Sequence, residues 1–352
     1  MNHILPKVLG MLGVGAVLSL GTNIAIADTI TVTSWGGAYS MSQRKAFHEP
    51  FMKETGHVVL EDEWGGDLAV IRAMVETGNY KTHVIDAETN DVLAGCDEGV
   101  LEVIDTDRLG LTADDFIPGG LLECGVGLVS WANVVAFRTD GHGGNNPSTL
   151  KDYFDTAKFP GKRGFGRWAG PNLEWALMVD GVPTGEIYAT LETAEGMDRA
   201  FAVLDGIKSD IIWWETGSQA PQLLADKEVV MTSGWNGRIY AAVMDDKQPF
   251  EIIWDGQVYD LEYWIVPAGH PDLDLIYEYM AFTSRPDRQG DTTNYISYGP
   301  SRLGSDKYVN PDILPHLPTA PQNLGTALQA SATFWADNQE DIDNRWNVWR
   351  AK

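Results

Sequence analysis

The stretch of sequence that organises the chain opens at residues 233–238 with SGWNGR and closes at residues 259–267 with YDLEYWIVP. Aromatic and β-branched residues crowd the second segment, which predicts a strand bounded by Gly256 and Pro267. Because side chains alternate along a strand, Asp260, Glu262 and Trp264 are expected to share one face. Carboxylates beside an indole suit an ammonium group, which is attracted by opposite charge and by a π-face. The segment therefore predicts a pocket for an amine.

A second unusual residue, Arg238, lies in the opening segment. Asn236 and Gly237 form a turn signal and residues 238–244 look helical, so Arg238 falls in a first helical turn. A cation there faces the positive end of the helix dipole, so a nearby anion would explain it better than propensity does. The alternative interpretation is that Arg238 is a solvated surface residue and Glu262 lies on a polar sheet face. The motif alone leaves both interpretations open.

Length and charge set the broad class of the protein. At 352 residues the chain is long enough for two lobes with cores of their own. A formal net charge of −25 argues against nucleic acid and anionic membranes as partners.

The N-terminus predicts a secretory signal peptide. His3 and Lys7 precede an apolar run at residues 8–20, and AIA at residues 25–27 matches a cleavage site. Cleavage after Ala27 would start the mature chain at Asp28, in the periplasm or outside the cell. No later segment is predicted to span a membrane.

The two cysteines, Cys96 and Cys124, predict one structural disulfide, because an even pair in an exported chain most simply forms a bridge. Closing that loop would stabilise the fold by roughly 3–4 kcal/mol in the chain-entropy model. Two thiols alone do not suggest a metal site.

The first hundred residues alternate strand and helix. The predicted order is a strand at 29–34, a helix at 40–55 interrupted near Pro50, a strand at 57–61, a helix at 67–76 capped by Gly78, and a strand at 83–86. This order predicts a largely parallel sheet covered by helices. Ligands bind outside the carboxyl ends of such strands, which marks WGGAY at 35–39 and DAET at 86–89 as the functional rim.

Two long strands are predicted to join two lobes. The apolar run at 128–137 would cross into a second lobe, and the strand at 259–266 would cross back. The expected organisation is a signal peptide at 1–27, a first lobe at 28–132 plus 261–300, and a second lobe at 133–260 plus 301–352. A helix is predicted at 172–179, and a C-terminal helix is predicted to bury Phe334, Trp335, Ile342, Trp346 and Trp349.

Sequence motifs of enzymes are missing from the chain. It has no G-x-S-x-G, no H-E-x-x-H, no P-loop and no cluster of metal ligands. We therefore predict no catalytic residue, no cofactor and no metal. A triad assembled from distant residues stays open as an alternative.

These features together resemble bacterial periplasmic solute-binding proteins of the spermidine/putrescine type, which are the receptors of ABC importers. The resemblance covers nearly the whole mature chain and rests on short segments in a specific order: residues 29–39, KETG at 53–56, FPGK at 159–162, WNG at 235–237, VP at 266–267 and YGP at 298–300. It implies an α/β fold of the type II, flytrap class, in which two lobes close over a ligand in the cleft between them.

The resemblance also implies which residues bind the ligand. Trp35 and Tyr39 match the aromatic residues of the first lobe, Trp235 matches a tryptophan of the second lobe, Glu262 matches the acidic amine anchor, and Tyr298 matches a site tyrosine. Glu88, Trp168, Arg238 and Trp264 are added because of where they lie in the sequence. The candidate ligand-binding set is then Trp35, Tyr39, Glu88, Trp168, Trp235, Arg238, Glu262, Trp264 and Tyr298.

Two departures from the polyamine binders point to a different ligand. The chain has WAGP at 168–171 where those proteins carry an acidic pair, and Arg238 stands where the spermidine receptor has a small residue. A lost carboxylate and a gained guanidinium favour a zwitterion, with its amine on Glu262 and its carboxylate on Arg238. That is similar to the branch of the family that binds γ-aminobutyrate.

Three other functions stay open at this stage. One is uptake of putrescine or spermidine, a second is a secreted hydrolase that uses the cleft between the lobes, and a third is a receptor that serves a sensor or chemotaxis protein. The resemblance implies the membrane permease subunits of an ABC importer as protein partners. We expect a monomer.

Overall fold

The computed structural model describes Met1 and residues 27–352, so the predicted signal peptide lies almost wholly outside the described residues. The strands are β1 (Thr29–Ser34), β2 (Val58–Glu63), β3 (Val84–Glu88), β4 (Leu121–Leu122), β5 (Gly125–Arg138), β6 (Arg163–Gly166), β7 (Ile211–Trp214), β8 (Met231–Trp235), β9 (Phe250–Ile265), β10 (Gly299–Pro300) and β11 (Leu328–Gln329).

The helices follow the strands in the alternating order that the sequence predicts. They are α1 (Gly37–Gln43), α2 (Glu49–Thr55), α3 (Leu68–Thr77), α4 (Thr89–Asp97), α5 (Thr106–Leu109), α6 (Leu150–Phe154), α7 (Asn172–Val179), α8 (Ile187–Leu191), α9 (Ala194–Asp205), α10 (Gln219–Ala225), α11 (Asn236–Met244), α12 (Leu273–Thr283), α13 (Pro286–Thr292) and α14 (Ala332–Ala351).

Local sequence signals explain the ends of several helices. The Asp67 side chain accepts a hydrogen bond from the Ala69 amide at the start of α3, and Gly78 ends that helix in the left-handed conformation. The interruption predicted near Pro50 is confirmed, because a π-helical turn at Arg44–His48 separates α1 from α2 and Pro50 lies in the first turn of α2.

The strands form one continuous sheet in the order β2-β1-β3-β9-β5-β8-β6-β7. β1 is parallel to both β2 and β3, and β6 is parallel to both β7 and β8. The long strands β5 and β9 run antiparallel to each other at the centre. The parallel arrangement predicted for the first hundred residues is therefore confirmed, the strands β6, β7 and β8 form a second parallel group that was not predicted, and the two predicted crossing strands lie between the two groups.

The strand β9 is longer than the sequence predicts. It begins at Phe250 and passes through Gly256, so the predicted boundary at Gly256 is wrong. Gly256 has φ of 72° within a shift of register between β9 and β5, and a Cβ there would lie 2.6 Å from Leu150 Cδ2. The glycine marks an irregularity in the strand rather than its end.

Each lobe has its own hydrophobic core. The core of the first lobe includes Ile30, Val32, Phe47, Phe51, Trp264 and Tyr279. The core of the second lobe includes Tyr153, Phe165, Trp175, Phe201, Phe334, Ile342, Trp346 and Trp349, with Trp335 packed against it. The predicted role of the C-terminal aromatic residues in the core is confirmed.

The chain connects the lobes again after β10. Ser301 and Leu303 still hydrogen-bond to the first lobe, through the carbonyls of Leu128 and Asp115, and β11 then pairs with β9. The position of the boundary near residue 300 stays a prediction.

The disulfide between Cys96 and Cys124 is present, with a Cα–Cα distance of 5.8 Å, and joins α4 to the start of β5.

Among residues 27–352, no helix is apolar over a length that would cross a bilayer.

Candidate functional site

Two carboxyl groups lie side by side where β3 and β9 pair. The antiparallel register sets Glu88 opposite Glu262 and Asp86 opposite Trp264. Because alternate residues of a strand share a face, Asp86, Glu88 and Glu262 project from the same side of the sheet. Asp86 is 0% exposed and Glu262 is 4% exposed. The end of β3 is thus an acidic edge, as expected for the ligand-binding rim of an α/β sheet.

Neutral donors surround these carboxyls. The Trp35 indole N–H donates to Glu262 Oε2 at 2.9 Å, and the Ser34 hydroxyl donates to Asp86 Oδ2 at 3.0 Å. The Gln43 side-chain amide also donates to Asp86 Oδ2. Asp86 Oδ1 and the Tyr39 hydroxyl are buried without a hydrogen-bond partner. Two polar atoms beside the acidic edge are therefore left for further donors or acceptors.

Aromatic rings flank the acidic edge on the first lobe. Trp35 tilts against Trp64 with 5.4 Å between ring centroids, and Tyr39 packs edge-on against Tyr298, also at 5.4 Å. Gly66 lies under Trp35, since a Cβ there would be 3.1 Å from the indole. Both pairs offer apolar surface next to the carboxyls.

A second group of indoles comes from the second lobe. Trp235 at the end of β8 lies 5.7 Å from Trp214, 6.2 Å from Trp168 and 6.4 Å from Trp131, measured between ring centroids. Trp168 is 42% exposed. The carboxyl ends of β6, β7 and β8 therefore carry an indole wall that belongs to the rim of the second lobe.

Arg238 reaches from the second lobe to the first. It lies in the first turn of α11, and its Nη2 is 3.5 Å from the carbonyl oxygen of Gly36, just before α1. A Cβ on Gly37 would lie 2.8 Å from Arg238 Nη1, and Arg238 Nε is buried without a partner. The structure thus places Arg238 between the lobes, which does not fit the alternative of a solvated surface residue.

Electrostatics favour protonated forms of the acids at this edge. Burial, then the charges of Asp86 and Glu88, raise the pKa of Glu262 well above its usual value. Burial also raises the pKa of Glu88 and of Asp86. It raises the pKa of Asp91 to about 7 and that of Asp260 to about 6. Burial is the first cause throughout, since a desolvated carboxylate is costly to ionise.

The structure brings most of the predicted residues together. Trp35, Tyr39, Glu88, Glu262 and Tyr298 lie at the rim of the first lobe, and Trp168, Trp235 and Arg238 lie at that of the second. Trp264 shares the face of Glu262 but is 0% exposed, donates to Thr283 Oγ1 and packs on Phe47 and Tyr279. It supports the site from within the core.

Sequence reasoning missed several residues at this site. Asp86 was placed on the rim but left out of the binding set, and Trp64, Trp131 and Trp214 were not considered. Trp64 follows β2, so the rule that marked residues 35–39 points to it, whereas the strand that ends at Trp214 was not predicted. No comparable signal marks Trp131, which lies within the long strand β5.

One group of side chains has the composition of a metal site. The ligand atoms of His83, His270 and Asp272 lie within 4.8 Å of one another. However, His83 Nδ1 accepts from the Thr31 amide and His270 Nδ1 accepts from the Asp272 amide. A neutral imidazole that accepts at Nδ1 carries its proton on Nε2, the atom that would have to bind the metal. The group fits a hydrogen-bonded histidine pair better than a metal site.

Comparisons with known proteins agree with this arrangement. The profile of the bacterial extracellular solute-binding protein family matches residues 46–319. The chain is 39% identical over 328 residues to the gamma-aminobutyric acid-binding protein of Pseudomonas aeruginosa PAO1, across 93% of this chain and 92% of that protein.

Similar solved structures include the GABA receptor Atu4243, with 33% identity and a TM-score of 0.81 over 92% of this chain and 98% of that one. They also include the PBP MotA from A. tumefaciens B6 in complex with glucopine, with 27% identity and a TM-score of 0.82 over 92% and 99% of the two chains.

Proposed function

Because the chain belongs to the bacterial extracellular solute-binding protein family, a family of receptors rather than enzymes, we propose that it is the receptor of an ABC importer for γ-aminobutyrate or a similar ω-amino acid. The acidic edge of the first lobe would bind the amine, and Arg238 of the second lobe would bind the carboxylate. The indoles of both lobes would pack on the methylenes between the charged ends.

One observation supports this proposal: the acidic edge lies on the first lobe, and Arg238 of the second lobe reaches the rim of the first lobe at Gly36. Glu262 and Asp86 project from the first lobe, and Arg238 extends from α11 to Gly36. A short zwitterion can contact both ends only when the lobes are closed, so its binding energy favours closure. The 39% identical relative and the GABA receptor structure support this choice of ligand.

Polyamines fit the same cleft less well. A second ammonium group would meet the Arg238 guanidinium, and like charges in a desolvated cleft repel strongly. No polyamine-binding protein is among the relatives described above. The hydrolase alternative has no support either, since the family consists of receptors.

A ligand panel tests the proposed function. We expect γ-aminobutyrate to raise the melting temperature, because a ligand at 100 times its dissociation constant adds about 2.7 kcal/mol of stability. Putrescine, spermidine and glycine betaine at equal concentration should give smaller shifts. Stabilisation by spermidine alone, or by none of the four, would contradict the proposal.

Export and partners complete the proposed function. We infer cleavage after Ala27, release into the periplasm, and delivery of the ligand to the permease subunits as a monomer. N-terminal sequencing of the protein recovered from a periplasmic fraction checks the first step. A mature chain that begins at Asp28 is expected, and a full-length chain retained in the membrane would contradict it.

A further inference from the structure

Asp86 and Glu262 form a buried pair of carboxyl groups without a cationic partner. They lie within hydrogen-bond reach of each other, and neither takes part in any ion pair formed by residues 27–352. Two ionised carboxylates in such a site would repel each other without solvent screening. The pair therefore needs a positive charge or a proton between its oxygens.

The hydrogen bonds of Asp86 show where that proton belongs. Ser34 and Gln43 both donate to Asp86 Oδ2, and Oδ1 is buried without a hydrogen-bond partner, with the Tyr39 hydroxyl and Glu262 as the neighbours of Asp86. A buried acceptor without a donor costs about 1–3 kcal/mol. On Glu262, the Trp35 indole already donates to Oε2. A proton held by Glu262 and donated to Asp86 satisfies the pair while the cleft has no ligand.

The groups around the pair favour retention of the proton. The nearby titratable groups are Glu88 on β3, Asp91 on α4, Asp260 on β9, Tyr39 on α1, Tyr279 on α12, Tyr298 before β10 and Arg238 on α11. All except Arg238 are acids, and the charge of Arg238 favours ionisation of Tyr298, whose pKa burial nevertheless raises. Burial, and the charge of Glu88 wherever it is ionised, oppose ionisation of Glu262.

We propose that the free protein holds one proton between Asp86 and Glu262, and that the ligand's ammonium group displaces this proton when it binds. The inference rests on the proposed function. One proton leaves for solvent as one ammonium enters, and the ammonium N–H groups then donate to Asp86 and Glu262 oxygens. No bond to carbon forms or breaks. Capture of the amine is therefore coupled to proton release.

The direct test is a proton inventory of γ-aminobutyrate binding to the wild-type protein. Calorimetry in phosphate and in ACES buffer at about pH 6 gives the number of protons released, because the two buffers have different ionisation enthalpies. We expect release of nearly one proton per ligand. While the pair is protonated in the free protein, the dissociation constant should fall about tenfold for each unit by which the pH rises. Tight binding without proton release would overturn this inference and leave the proposed function standing.

Two variants locate the source of the proton. Glu262→Gln removes the carboxyl that holds the proton, and its amide can donate to Asp86 in the proton's place, so release should fall close to zero in whatever binding is left. Glu174→Gln is the matched control, since Glu174 is another buried carboxyl, bonded to Trp335 and Tyr188 within the second lobe, and its pKa is raised by burial to about 7. Release of one proton should persist in that control. Undiminished release from Glu262→Gln would place the proton on another group and overturn the inference.

A ligand-free measurement keeps the inference testable if γ-aminobutyrate does not bind. The carboxyl carbons of ¹³C-labelled Asp and Glu report ionisation by NMR. At about pH 6 we expect one carboxyl of the pair to be protonated in the free protein. Two ionised carboxylates would contradict the inference whatever the ligand is.

Discussion

At the scale of single residues, Glu262 is the strongest test of amine binding. Glu262→Gln keeps the shape of the side chain and an oxygen for the Trp35 indole but removes the charge that the ammonium would face. Losing one member of a desolvated charge pair costs about 2–5 kcal/mol, so we expect affinity for γ-aminobutyrate to fall by about two orders of magnitude or more. Calorimetry measures the loss.

Thermal unfolding separates binding from folding in that experiment. The melting temperature of the ligand-free variant should change little, because glutamine resembles the protonated acid that burial favours. Glu251→Gln, an exposed position on the same strand, is the matched control and should bind like the wild type. Unchanged affinity in Glu262→Gln would return Glu262 to a polar sheet face without a binding role.

Gly217 packs closely against two site residues, Trp235 and Arg238. A Cβ there would lie 2.4 Å from Trp235 Cζ3 and 3.4 Å from Arg238 Nε, so Gly217→Ala must displace the indole. We expect a loss of affinity of at least about tenfold, measured by calorimetry. Gly185→Ala is the control, because its Cβ would meet nothing within 4 Å. Equal affinities in the two variants would show that displacement of the Trp235 indole does not affect ligand binding.

At the scale of elements, the disulfide ties α4 to the central strands. The bridge joins Cys96, near the end of α4, to Cys124, just before β5, and Thr89 at the start of α4 donates to Asp260 Oδ1 at 2.6 Å. We expect the Cys96→Ser/Cys124→Ser double variant to lose about 2–4 kcal/mol of unfolding free energy. Denaturant titration gives the difference. Two reactive thiols in the unreduced wild type would contradict the bridge.

The loop after β9 makes stability depend on pH. Burial and the neighbouring His83 lower the pKa of His270 to about 4, and burial lowers that of His83. The native state therefore prefers the neutral imidazole, while the unfolded chain takes up a proton near the usual histidine pKa of about 6.5. The contribution of His270 is present above that pH and is lost as the pH falls toward about 4.

A variant isolates this contribution from the acids at the cleft, whose raised pKa values act in the opposite direction. We expect the stability advantage of the wild type over His270→Gln to shrink by up to about 3 kcal/mol between about pH 7 and about pH 4. Denaturant unfolding at several pH values measures it. A constant difference across that range would contradict the lowered pKa.

At the scale of the whole molecule, the two lobes and their crossings were readable from the sequence because their signals are local. Alternation of strand and helix in the first hundred residues predicts the parallel half-sheet of the first lobe, and the run at 128–137 is too long for one lobe. The extension of β9 through Gly256 was not readable, because only the pairing with β5 makes an irregular glycine part of a strand. The sequence likewise does not predict that Trp264 is buried against α12, because that contact depends on tertiary packing.

Part of the site could also be predicted from the sequence, because the signals for it are local. Residues at strand ends, such as Trp35, Glu88 and Trp235, follow from one rule about α/β sheets. The pairing of Asp86 with Glu262 depends on the register between β3 and β9, which links residues far apart in the chain. The contact of Arg238 with Gly36 depends on how the lobes meet. Long-range register and closure are the parts that sequence patterns do not specify.

The central claim is that a zwitterion bridges Glu262 on one lobe and Arg238 on the other. The most direct test is calorimetry with γ-aminobutyrate and with putrescine, each measured on the wild type and on Arg238→Ala. Arg345→Ala is the control, since Arg345 pairs with Asp198 on the surface of the second lobe. We predict that the wild type and the control bind γ-aminobutyrate more tightly than putrescine, and that Arg238→Ala loses or reverses this preference. A wild type that prefers putrescine, or an Arg238→Ala variant with the wild-type preference, would contradict the account.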